Sequence, residues 1–178
     1  MNRKKLVTEM GRIDRDAFSK AEKLPLVVVL DNVRSLHNVG SVFRTSDAFR
    51  VERIMLCGIT ATPPSAEIHK TALGAEDVVE WLYFESTMDA VAALRSGGYR
   101  IFSIEQCDGS IALQDFEVSD GERYAVVMGN EVKGVQQVVV DASDGAIEIP
   151  QFGTKHSLNV SVAAGMTIWE FAKKLGMV

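Results

Sequence analysis

The apolar positions of this chain fall into two kinds of pattern, short unbroken runs and stretches with helical spacing, and the two kinds alternate. Leu26 to Leu30, behind Pro25, is an all-apolar run of the type that fills a strand covered on both faces. After the polar stretch DNVRSLHN, Val39, Val42, Phe43, Ser46 and Phe49 follow helical spacing, and Asn38 is a candidate N-cap. The alternation continues with strands at Ile54 to Cys57, Val78 to Phe84, Arg100 to Ile104, Tyr124 to Met128 and Ala146 to Ile149. Helices are predicted at Ala66 to Leu73, Met88 to Leu94, Val135 to Val139 and about Leu158 to Leu175. In the last of these, Val162, Ala163, Met166, Trp169 and Phe171 are candidates for the buried side. Ahead of the first strand, Leu6, Met10, Ile13 and Ala17 predict one helix with charged outer faces. The organisation expected is therefore a basic helix over residues 1–24 and one α/β domain over 25–178, with a mainly parallel sheet and helices on both faces.

Composition narrows the class only slightly. A chain of 178 residues with 47% hydrophobic and 24% charged residues suits one self-sufficient globular domain. Cys57 and Cys107 follow no metal-ligand spacing and suit a reducing, cytoplasmic setting, and no run is apolar enough for a signal or membrane segment. The net charge of −5 argues for a small-molecule enzyme over one that grips phosphate backbones. The charge is uneven, however: residues 1–23 carry seven Lys/Arg against four acids, and the rest twelve against twenty. A local basic footprint on an acidic body is compatible with that distribution.

In a parallel α/β sheet the chemistry sits in loops beyond the C-terminal strand ends. The loop after Leu30 has one glycine where a dinucleotide fingerprint needs three, and Gly153-Thr154-Lys155 lacks the order of a phosphate loop. His37, His69 and His156 have no partners at metal-ligand spacing, so no metal is implied. Arg44, one helical turn beyond the Asn38 cap, offers a rigid fork suited to phosphate. Gly129 ends a buried strand without a Cβ, which lets a ligand approach the backbone. Glu131 can accept hydrogen bonds that order its loop or meet substrate, and Ser157 and Asn159 are candidate caps that can also bond a ligand.

Three segments, in this order and each just beyond a predicted strand, carry a family resemblance. They are Asn38-Val39-Gly40-Ser41-Val42-Phe43-Arg44-Thr45, Met128-Gly129-Asn130-Glu131-Val132-Lys133-Gly134, and Ile149-Pro150 with Ser157-Leu158-Asn159-Val160-Ser161-Val162-Ala163. Together they resemble the SpoU (TrmH-like) branch of the knotted SPOUT RNA 2'-O-ribose methyltransferases, over roughly residues 25–175. The sequence departs from the family pattern at Gln151, where methionine is usual, and at Val132, where glycine is common. The resemblance implies a C-terminal trefoil knot, a rare exception to unknotted connectivity. It also implies S-adenosylmethionine as cofactor, held through backbone groups at Gly129, Ile149 and Leu158, and a homodimer in which Arg44 of one subunit is available to the other's site. Arg44 is the first choice for catalysis. A guanidinium gives up its proton only above a pH of about 12, so stabilising a developing alkoxide and the adjacent phosphate is an easier role than general base. Asn38, Glu131, Ser157 and Asn159 would align the ribose hydroxyl and the cofactor.

The implied activity is methyl transfer to a ribose 2'-oxygen of tRNA or rRNA. Lys70 to Glu76 (KTALGAE) and the opening helix resemble tRNA-modifying members of the family slightly more than rRNA-modifying ones. A non-catalytic RNA-binding module of the same fold is the alternative, and it would show no heat with S-adenosylmethionine. An acidic small-molecule enzyme would bind no RNA at low salt.

Overall fold

The computed structural model describes residues 2–178. Seven strands form one sheet, β1 (Leu24–Asp31), β2 (Val51–Cys57), β3 (Trp81–Phe84), β4 (Tyr99–Ile104), β5 (Ile111–Ala112), β6 (Arg123–Met128) and β7 (Gly145–Glu148). Their order across the sheet is β3-β2-β1-β6-β4-β7-β5, and every neighbouring pair is parallel. Six helices accompany them: α1 (Arg15–Lys20), α2 (Leu36–Ala48), α3 (Ala66–Ala72), α4 (Thr87–Ser96), α5 (Gln137–Ala142) and α6 (Val160–Lys174).

The unbroken apolar run of β1 is explained by its central position. Leu24, Leu26, Val28 and Leu30 face one core with Val39, Val42 and Phe43 of α2, Ile68 of α3 and Ile168 and Phe171 of α6. Val27 and Val29 face a second core with Ala90, Val91 and Leu94 of α4 and Val139 of α5. Helices thus cover both faces, as the alternation predicts, and a strand with no solvent face needs no polar alternation.

Several elements differ from the sequence-based expectation. The single opening helix is instead a 3-10 turn at Val7–Glu9 and the short α1. Gly11 between them has φ +60°, and Asp14 caps α1 by accepting the Ala17 N–H. Leu6, Met10 and Ile13 consequently stay exposed, while Phe18 is the buried anchor. Ser35 caps α2 in place of Asn38, which lies inside its first turn. Val78 and Val79 belong to the turn after a 3-10 segment, Ala75–Asp77, so β3 starts only at Trp81. In α6 the buried side is Val160, Ala164, Thr167, Ile168, Phe171 and Ala172, so of the five candidates only Phe171 is buried. Val162, Met166 and Trp169 lie on the exposed side, because this helix is apolar on two faces and spacing alone does not choose between them.

The stretch between β4 and β6 gave no predicted element. Phe116 anchors it against Phe102, Tyr124 and Phe171, with ring centroids 4.7, 6.0 and 5.4 Å away. The Tyr124 hydroxyl accepts the Ser119 N–H at 2.7 Å and donates to Glu122 Oε2 at 2.9 Å, which satisfies its polar end at the core boundary.

Candidate active site

Because all strands run the same way, the loops leaving β1, β4, β6 and β7 gather at one edge of the sheet. Asp31, the last residue of β1, is fully buried there. Its carboxylate accepts the Thr87 hydroxyl at 2.6 Å, the Gln136 side-chain amide at 2.7 Å, the Asn32 amide at 2.8 Å and the Gln136 backbone N–H at 2.9 Å. A buried charge is tolerated when its lone pairs are met this fully, and here it ties β1 to the start of α4 and to the chain entering α5.

The loop after β6 is a closed turn. Asn130 and Gly134 exchange backbone hydrogen bonds at 3.0 and 2.9 Å, and the Asn130 side chain accepts the Val132 and Lys133 N–H groups. Its amide also donates to the Asn32 carbonyl at 2.7 Å, fixing the turn to the end of β1. Gly129 is required by close approach. A Cβ there would stand 2.2 Å from both the Gly134 carbonyl carbon and the Val135 nitrogen.

Glu131 projects from this turn to the start of α2. Its Oε2 accepts the Arg34 N–H at 2.9 Å, and its Oε1 accepts the Ser35 N–H at 2.9 Å and the Asn38 side-chain amide at 3.0 Å. Burial pushes this carboxyl up, but the Arg34 and Ser35 N–H groups outweigh it and hold the group below its ordinary 4.5. Asn38 in turn accepts the Asn159 side-chain amide at 3.1 Å. Asn159 caps α6 through Oδ1, which takes the Ser161 N–H at 2.9 Å and its hydroxyl at 2.6 Å. Three segments far apart in sequence are therefore joined by one chain of side-chain bonds, Glu131 to Asn38 to Asn159.

Beside this network lies an open cleft of about 460 Å³. Gly129, Glu131, Ile149, Ser157 and Leu158 all line it, together with Glu105 and Gln106 from the loop after β4. Glu105 accepts the Gln106 N–H at 2.9 Å and the Val135 N–H at 3.0 Å, and Gln106 donates to the His156 carbonyl at 3.0 Å. These bonds hold the three cleft-forming loops against one another.

Of the eight sequence-predicted site residues, five line the cleft, and Asn38 and Asn159 stand behind it as supports. Arg44 is apart from it, exposed on α2. Asp31, Glu105 and Gln106 were not anticipated. Asp31 and Glu105 are the first charged residues after apolar strands, a signal that could have marked them. Among the described residues no cluster of His, Cys, Asp or Glu could hold a metal ion, and no helix is long and apolar enough to cross a membrane.

A doubly covered parallel sheet with a ligand-sized cleft over its C-terminal strand ends, bordered by the Glu105 and Glu131 carboxylates, defines an α/β protein with a candidate small-molecule site. Comparison with known proteins makes this specific: the chain belongs to the SpoU rRNA Methylase family, whose model matches residues 25–169. A curated relative, the 23S rRNA (guanosine-2'-O-)-methyltransferase of Neisseria meningitidis serogroup B, is 30% identical over 155 residues, covering 87% of this chain and 61% of the relative. The AdoMet-bound rRNA methyltransferase of Sinorhizobium meliloti superposes with a TM-score of 0.79 at 26% identity, covering 86% of this chain and 61% of that one. The A. aeolicus TrmH/SpoU tRNA modifying enzyme superposes with a TM-score of 0.78 at 26% identity, covering 92% and 81%. The chain spans 61–70% of the length of the curated relatives it matches.

Proposed function

We propose that this chain transfers a methyl group from S-adenosylmethionine to a ribose 2'-hydroxyl of structured RNA. The observation that carries the reading is the meeting of the three motif segments around one cleft, locked by the Glu131–Asn38–Asn159 bonds. The cofactor fits the donor set. A cleft of about 460 Å³ lies within the usual range for small-molecule sites, its walls at Gly129, Ile149 and Leu158 offer backbone groups, and the Glu105 carboxylate suits a cationic ligand. When bound, the cofactor supplies an electrophilic methyl group on a sulfonium.

The chain's own contribution is positioning and electrostatics. Ser157, exposed at the rim with no hydrogen bond among the described residues, can meet the ribose hydroxyl. Asn38, Glu131 and Asn159 keep the rim in place. Arg44 would stabilise the alkoxide and neighbouring phosphate; its support is that its guanidinium is exposed and has no carboxylate partner among the described residues. That it does not line the cleft of its own chain favours service to a second subunit. The exposed Phe152, Val162, Met166 and Trp169 form an apolar face next to the cleft segment, which supports the homodimer. That the segment from Ile149 to Asn159 shares one cleft with the Gly129–Gly134 turn supports the knot. Free Cys57 and Cys107 suit a cytoplasmic setting.

As substrate, tRNA is favoured by the KTALGAE segment, and relatives include both tRNA and rRNA enzymes. The test is incubation with labelled S-adenosylmethionine and tRNA or rRNA from the same organism, followed by nucleoside analysis for 2'-O-methyl products. Cofactor binding without methylation of either RNA would refute the reading. Arg44→Ala should keep calorimetric cofactor binding and lose about 100-fold or more in turnover; an equally active variant would remove Arg44 from the chemistry.

A further inference from the structure

Arg34 precedes α2 with its backbone N–H bonded to the cleft residue Glu131, and its environment is unlike that of most arginines in the molecule. Arg3, Arg15, Arg53, Arg95, Arg100 and Arg123 each reach a carboxylate within 2.6–3.4 Å. Arg34 and Arg44 are exposed, and neither guanidinium has a carboxylate or hydrogen-bond partner among the described residues. Arg12 and Arg50 also lack carboxylates, but Arg12 lies in the opening segment and Arg50 at the opposite end of the sheet, beside the start of β1.

The acids near Arg34 are already engaged. Glu131 spends both oxygens on the Arg34 and Ser35 N–H groups and on Asn38, so the Arg34 backbone is pinned while its side chain is left to solvent. Glu67, beside His37 of α2, is shared by Lys70 at 2.6 Å and His37 at 3.1 Å. In an acidic protein, two unpaired guanidiniums at the start and along the exposed side of one helix are a local exception that complements a polyanion.

Their spacing matters as well. On α2, His37 and Arg44 are exposed and Ser41 partly so, opposite the buried Val39, Val42, Phe43 and Ser46, and Arg34 is exposed just ahead of the Ser35 cap, so a polar stripe leads from the N-terminus of α2 to Arg44. From Leu36 to Arg44 the helix rises about 12 Å. That spans about three stacked nucleotides, at about 3.4 Å each. One phosphate therefore cannot occupy both arginines.

We propose that this stripe is a track for the phosphodiester backbone of the RNA, with Arg34 holding a phosphate about three nucleotides from the one at Arg44. The inference rests on the RNA reading above and extends it to a second anchoring point. Arg34 is a binding residue here, and its loss falls on RNA affinity rather than on the chemical step.

The test uses the full chain, with a fluorescent tRNA transcript and an rRNA fragment titrated at several salt concentrations, whichever the wild type binds more tightly being carried forward. Arg34→Gln should weaken binding about three- to tenfold at low salt. It should also lower the slope of log affinity against log salt by about 0.7–0.9, the share of one phosphate contact. KM for RNA should rise with little change in kcat, and calorimetric binding of S-adenosylmethionine should match the wild type, which verifies the fold. Arg34→Lys should recover most of the slope. An Arg34→Gln protein with wild-type affinity and slope overturns the track while leaving RNA methylation standing. A wild type that binds neither RNA at low salt overturns the RNA reading itself.

Discussion

Truncating Glu131 tests whether the cleft is held by side-chain bonds or merely bordered by them. Its carboxylate takes two backbone N–H groups at the start of α2 and the Asn38 amide, at 2.9, 2.9 and 3.0 Å. Hydrogen bonds to a charged acceptor are worth about 1.5–3 kcal/mol each, but this carboxylate is half-exposed and water replaces part of the loss. Glu131→Ala should therefore cost about 1.5–3 kcal/mol in all. For a domain of this size that is a fall of about 4–10 °C in Tm. The loss should depend on pH in a defined direction. With its pKa held below the ordinary 4.5 in the folded state, Glu131 contributes its full stabilisation above that value, where both states are ionised. As pH falls, the unfolded chain takes up the proton first, and the contribution drains until the folded carboxyl protonates as well. The stability gap between wild type and Glu131→Ala, measured by urea unfolding, should thus be constant near neutrality and narrow below about 4.5. Cofactor affinity should fall with it, since the Gly129–Gly134 turn loses its tie to α2. A variant that melts with the wild type, or a gap that holds unchanged to pH 3, would show that these bonds contribute nothing.

Gly129→Ala places a methyl group 2.2 Å from two backbone atoms that cannot rotate away, so the turn itself must move. The expected cost is about 1–3 kcal/mol, with a loss of cofactor affinity of tenfold or more by calorimetry; unchanged affinity would remove this turn from the pocket. Asp31→Asn turns an amide toward four donors at a fully buried position. It should cost about 3–5 kcal/mol in chemical denaturation, and a loss under about 1 kcal/mol would contradict the bonding described.

What the sequence discloses follows from where the deciding interactions lie. The strands β1 and β6 are legible because burial on both faces demands unbroken apolar runs, which few other settings do. The motif segments are legible because their polar residues and glycines stand in the family's pattern. Asp31 is marked locally only as the first charge after an apolar run; its burial is not legible, since the donors that satisfy it include Gln136, 105 residues away. Glu105 escapes notice for the same reason, its partner Val135 lying 30 residues on. Asn38 is read as a cap because its composition allows it, whereas Ser35 takes that place and frees the amide to bridge Glu131 and Asn159. The segment around Phe116 has no local period at all; its order comes from the aromatic rings of three other elements.

The misassigned face of α6 is the most informative of these differences. Spacing selects Val162, Met166 and Trp169 as core, and by the physics of an isolated domain they should be. The sheet instead takes Val160, Ala164, Ile168 and Phe171, leaving Trp169 half-exposed with Phe49 against its edge at a centroid distance of 5.7 Å. A helix apolar on two faces ordinarily buries both. Its second face, continuous with the fully exposed Phe152, therefore carries the pattern of a core that one copy of the chain does not complete. In the proposed homodimer, this face, which misleads the one-chain reading, is the surface on which a second copy would pack, beside the segment from Ile149 to Asn159 that walls the cleft.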